Sequence, residues 1–128
     1  MIVKNFKAAI FSVAVLFAAF FFVNVGAARA QSGSVEWSGT VDDVVQITIR
    51  NRNVRTRHIS GRDYDDAQYN FRGRAPRQNV NATVDKEEGR GRILIVQQPN
   101  RRNNWTTIVQ VNDSKGGADR YRFTLYWD

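Results

Sequence analysis

VVQITIRN, residues 44–51, decides the fold. Val45, Ile47 and Ile49 fall on one side of an extended chain, and Gln46, Thr48 and Arg50 on the other. That period of two is what a strand with one buried face requires. Asn51-Arg52-Asn53 follows with turn residues, and VRTRHIS (54–60) resumes the alternation. So short a connection predicts an antiparallel hairpin, closed by Asn51-Arg52 or Arg52-Asn53. Either closure keeps Arg55 and Arg57 in phase with Arg50, and sets Val54, Thr56 and His58 toward Ile47 and Ile49.

The same punctuation continues outward from this hairpin. Upstream, VEWSGTV (35–41) reads as a strand with Val35 and Trp37 on one face, ended by Asp42-Asp43. Downstream, GRDYDD (61–66) is a polar loop and QYNFRG (68–73) a short strand with Tyr69 and Phe71 on one face. Pro76 breaks the pattern, and Val80, Ala82 and Val84 restore it before the charged turn KEEGRG (86–91). RILIVQ (92–97) is apolar on both faces and is expected to be the most buried strand. After the loop PNRRNN (99–104), Trp105–Val111 and Arg120–Trp127 are expected to form a closing hairpin around Ser114-Lys115-Gly116-Gly117-Ala118. About eight short strands at intervals of roughly 8–12 residues predict an all-β chain. The expected fold is a single small antiparallel β-sandwich, immunoglobulin-like in general architecture. A partly open barrel is the second choice.

IVQVNDSKGGADRYRFTL (108–125) resembles the closing hairpin of bacterial immunoglobulin-like and cadherin-like domains. The resemblance covers 18 residues, supports the sandwich and carries no activity with it.

Residues 1–30 have a different character. Lys4 and Lys7 precede the uncharged apolar run Ala8–Val23, and Ala28-Arg29-Ala30 follows. A basic start, an apolar segment and an A-x-A site define a secretory signal peptide, with cleavage expected after Ala30. The apolar run is shorter than the ~18–20 residues of a spanning helix, so no stable membrane anchor is expected once it is removed. Without Cys, and without an Arg-Arg pair ahead of the apolar run, the expected path is the general secretory route, to the periplasm or the extracellular space.

Removing residues 1–30 leaves a 31–128 β-sandwich domain, enough for one domain. The basic residues fall from 19 to 16 against 12 acids, and the net charge from +7 to +4. Of those 16, only Lys86 and Lys115 are lysine. Val and Ile supply sixteen aliphatic residues and Leu only Leu94 and Leu125, a bias that suits pleated sheets rather than helices.

No enzyme is expected. His58 is the only His, no Cys or G-x-S-x-G is present, and every acid is expected in or beside a turn, leaving no inward carboxylate pair. No cofactor or metal is expected either. Asp63, Asp65 and Asp66, and Asp113 with Asp119, are oxygen-rich enough to raise the question of calcium, but neither group has the D-x-[DN]-x-[DN]-G spacing. Trp37, Trp105 and Trp127 share apolar faces and are expected in the core rather than on a sugar platform.

The arginines carry the sharper signal. Arg50, Arg55 and Arg57 point outward together, and Arg120 and Arg122 do so on the last strand. Guanidinium groups pair bidentately with oxyanions. Two alternatives stand: a face for an anionic partner, either a glycan or an acidic protein surface, or a solvated face that blunts edge aggregation. Nucleic acid is not expected as a partner outside the cytoplasm. The sequence therefore points to an exported, non-catalytic binding module of the envelope or extracellular space. The alternative is a structural subunit that self-associates through an edge strand.

Overall fold

The computed structural model describes residues 33–78, 80–113 and 116–128. The expected signal peptide and its cleavage site lie outside them, as do Ser114 and Lys115. Among these residues eight strands run in chain order: β1 Ser34–Val41, β2 Asp43–Arg50, β3 Asn53–Ser60, β4 Gln68–Arg72, β5 Ala82–Glu88, β6 Arg92–Gln97, β7 Thr107–Asp113 and β8 Asp119–Trp127. They form two antiparallel four-stranded sheets, ordered β4-β1-β8-β5 and β3-β2-β7-β6. The chain is all-β, as its alternation predicts.

The alternation also builds the core. Val35, Trp37 and Val41 of β1 and Tyr121, Phe123, Leu125 and Trp127 of β8 face Val45, Ile47 and Ile49 of β2 and Val109 and Val111 of β7, all fully buried. Each such aliphatic or Phe side chain contributes about 1.5–3 kcal/mol by leaving water. Trp37 stacks on Phe123 with centroids 5.5 Å apart, and Trp127 on Phe71 at 6.0 Å. A buried indole N–H requires an acceptor. Trp37 Nε1 donates to Thr56 Oγ1 (3.0 Å) and Trp127 Nε1 to Thr107 Oγ1 (3.1 Å), in both cases across to the other sheet.

Three expectations are corrected. First, β7 and β8 are not a hairpin: β7 pairs with β2 and β6, while β8 pairs with β1 and β5. Alternation fixes which face of a strand is buried but not which strand lies beside it. Second, RILIVQ is an edge strand rather than the most buried one. Ile93 and Ile95 pack on the core, but Val96 sits at a register irregularity between Ile95 and Gln97 and is 46% exposed. Third, Trp105 precedes β7 in a left-handed turn (φ 60°) and is only half-buried. Trp37 and Trp127 do lie in the core, each 1% exposed.

The β2–β3 hairpin forms as expected. Arg50 pairs with Asn53, so the two-residue turn is Asn51-Arg52, with Asn51 left-handed (φ 57°).

Candidate functional site

The five arginines divide between the two sheets. On the outer face of β8, Arg120 Nη1 lies 3.2 Å from Asp66 Oδ2. Arg122 stands among three carboxylates, Glu36 (3.7 Å), Glu87 (3.8 Å) and Glu88 (3.9 Å). The registers explain this crowding. Arg122 is opposite Ser38 and Glu88, and Glu36 lies two residues along β1. Asp66 also accepts from Thr40 N (2.9 Å) and Thr40 Oγ1 (2.6 Å). Desolvation acts to raise its pKa, but the Thr40 bonds and the Arg120 charge outweigh it and hold the carboxyl below its usual value.

Among the described residues, the arginines on the other sheet's outer face have no such neutralisation. Outward positions of β3 stand beside those of β2: Arg57 opposite Gln46, Arg55 opposite Thr48, and Asn53 opposite Arg50. Gln46 Nε2 donates to Gln110 Oε1 (3.1 Å) and Gln110 Nε2 to Asn112 Oδ1 (3.0 Å), an amide row across the sheet. Within the four strands of this sheet, the acids are Asp43 and Asp113, both at strand ends. Among the described residues, Arg55 and Arg57 make no ion pair.

Together these side chains line a half-open groove of about 970 Å³, bounded by Gln46, Thr48, Arg50, Asn51, Arg52, Asn53, Arg55, Arg57 and Tyr69. Arg50 is held at one end, where the Asn104 side-chain oxygen accepts from Nη2 (2.5 Å) and Nε (3.2 Å) in the amide orientation its partners require. Arg52 ties the hairpin tip to the other sheet: Nη1 donates to Gly73 O (2.8 Å), and the guanidinium lies 5.0 Å above the Phe71 ring. Tyr69, 50% exposed, comes from β4 of that other sheet. The sequence pattern identifies Arg50, Arg55 and Arg57. Arg52 and Tyr69 were missed, because neither shares their strand phase and only the fold brings them to the groove.

A second polar centre joins the sheets. Asp113, at the end of β7, stands beside the Gly-Gly turn as expected, but its carboxylate is buried. Arg90 grips it with two bonds, Nε to Oδ1 (2.8 Å) and Nη2 to Oδ2 (2.9 Å), and the Tyr121 hydroxyl donates to Oδ1 (2.8 Å). The same hydroxyl accepts from Gly91 N (2.7 Å), and Asp119 Oδ2 accepts from Arg90 N (2.9 Å). Desolvation first, then the bond to Asp113, pushes the Tyr121 phenol up to about 12. The KEEGRG turn needs its glycines here. A Cβ on Gly89 (φ 125°) would lie 2.1 Å from the Tyr121 ring, and one on Gly91 2.5 Å from its hydroxyl. Asp113 and Asp119 thus serve a clasp made of protein groups.

His58 faces inward as expected, opposite Val45. Its Nδ1 is 3.5 Å from Asp63 Oδ1, and its buried Nε2 has no hydrogen-bond partner. Ser60, the nearest serine along the strand, donates to Asp43 (2.6 Å). Among the described residues no three His, Cys, Asp or Glu side chains are grouped to hold a metal ion.

No protein-family model matches the chain, and no curated protein or solved structure matches it significantly.

Proposed function

We propose that this chain is an exported, non-catalytic β-sandwich that binds an anionic partner in the cell envelope or the extracellular space, through the groove on β2 and β3. The carrying observation is the contrast in charge pairing. Arg120 and Arg122 stand among carboxylates, whereas Arg55 and Arg57 line a groove with no acidic residue in its wall. Uncompensated guanidinium groups repel one another and gain most from an oxyanion brought by a partner. Arg50, already oriented by Asn104, is the fixed end of that array. Export rests on Lys4, Lys7, Ala8–Val23 and the Ala28-Arg29-Ala30 site.

Retention of the purified protein on a heparin column tests the binding. Replacing Arg50, Arg55 and Arg57 together by Ala should lower the salt needed for elution far more than replacing Arg120 and Arg122. Equal elution of wild type and the triple variant would remove the proposal. Mass measurement of the protein released by an exporting cell should give a chain beginning at Gln31.

The second reading, a self-associating structural subunit, draws on β6. This edge strand exposes Val96 and carries neither Lys nor Pro, the usual guards of an open edge. Light scattering during size exclusion decides it: concentration-dependent oligomers that vanish with Val96→Lys favour self-association, and a monomer at all concentrations removes it.

A further inference from the structure

Resting on the proposed anion-binding role of the same groove, we infer that its occupant is an acidic polysaccharide bearing carboxylates, with Tyr69 as the stacking wall for a sugar ring. Three features separate this ligand from an acidic protein surface. The first is what lies between the charges. Thr48 and Gln46 alternate with Arg55 and Arg57 across the hairpin, so hydroxyl and amide groups stand within one residue of each guanidinium. A polyhydroxylated chain offers donors and acceptors for these groups along with its carboxylates, whereas an acidic peptide side chain offers acceptors alone.

The second feature is the lack of apolar anchors. Protein partners depend on aromatic and aliphatic side chains seated in desolvated pockets. Among the described residues, Tyr69 is the one aromatic or aliphatic side chain in this groove wall, and half of its surface is open. A single exposed ring with a polar tip suits the C–H face of a sugar, which needs a flat apolar surface beside hydrogen-bonding groups.

The third is shape. Outward residues of one strand repeat at about 6.6–6.8 Å, so Arg55 and Arg57 are spaced along the strand direction in the groove wall, as successive charges of an extended polymer would require. The Arg52 tie to Gly73 and Phe71 joins the hairpin tip to the end of β4, the strand that supplies Tyr69. The strand that carries the ring and the hairpin that carries the charges are therefore tied together at that tip.

Binding of the purified protein to a polyuronate, a neutral glucan and polyglutamate of matched length tests both levels. The polyuronate should bind about tenfold or more tightly than polyglutamate, and the glucan weakest. Tyr69→Leu, which keeps bulk but removes the ring, should weaken the polyuronate about tenfold and leave polyglutamate within about twofold. Arg55→Ala with Arg57→Ala should weaken both acidic polymers. Polyglutamate binding as tightly as polyuronate, or indifference of the polyuronate to Tyr69→Leu, overturns the polysaccharide while the anion-binding role stands. Indifference of every polymer to the arginine pair overturns both. Unchanged thermal unfolding of each variant separates lost contacts from lost fold.

Discussion

The two outer faces of this sandwich are built from the same parts and do opposite things with them. Both present arginine at alternate positions of a strand. On the β4-β1-β8-β5 sheet, Arg122 meets Glu36, Glu87 and Glu88, and Arg120 meets Asp66. On the β3-β2-β7-β6 sheet, Arg55 and Arg57 meet Thr48 and Gln46. Arginine content therefore says little about which guanidinium groups are charge-paired. What decides is whether strand register brings a carboxylate alongside.

The strongest way to break this contrast is charge reversal on one face at a time. Arg55→Glu with Arg57→Glu should lower affinity for an anionic polymer by about a hundredfold or more, while Arg120→Glu with Arg122→Glu leaves it within about threefold. Isothermal titration at low salt measures both. Equal losses would mean that net charge alone drives binding.

Next in size is the clasp that joins the two sheets. Tyr121→Phe removes one of the hydrogen bonds that Asp113 Oδ1 accepts and takes the acceptor from Gly91 N, and should cost about 1–3 kcal/mol. In a domain of this size each 1 kcal/mol lowers Tm by about 4–8 °C, readable by calorimetry. A phenol raised in the folded state contributes stability that is whole below about pH 10 and is lost as the pH rises toward 12. The wild type should therefore lose Tm over that window, and Tyr121→Phe should lose less. An unchanged Tm at neutral pH would show that the clasp is dispensable.

A subtler test unmasks the silent face. Glu36→Gln, Glu87→Gln and Glu88→Gln together should raise heparin retention more than Asp63→Asn, Asp65→Asn and Asp128→Asn, although both triplets change net charge equally. Identical gains would assign the effect to total charge. The smallest effect belongs to Asp66. Its depressed carboxyl contributes stability present above about pH 4 and lost as the pH falls through the lower folded value. Asp66→Asn should flatten that part of the acid unfolding curve and cost under about 1 kcal/mol at neutral pH, since the group is over a third exposed.

Much of this was legible in the chain. Val45, Ile47 and Ile49 against Gln46, Thr48 and Arg50 show a strand and its buried side directly, because side chains alternate whatever the partner. The phase of Arg55, Arg57 and His58 followed from a turn of two residues. RILIVQ misled for a physical reason: an apolar outer side reads the same whether a neighbour covers it fully or, as at Val96, leaves it half open. Asp113 misled for the converse reason. A lone acid beside a glycine turn looks solvated until Arg90, 23 residues away, and Tyr121 close around it.

The sequence by itself determined the strands, their inward and outward sides and the Val/Ile core between them, because these depend on period and propensity within a few residues. The tertiary structure alone decided that β7 and β8 part into different sheets, and that Arg120 and Arg122 meet carboxylates while Arg55 and Arg57 do not. It also decided that Tyr69 crosses from the other sheet to wall the groove. Each of these is a contact between distant segments, set by which strands pair and in what register, and alternation within a strand carries no record of either.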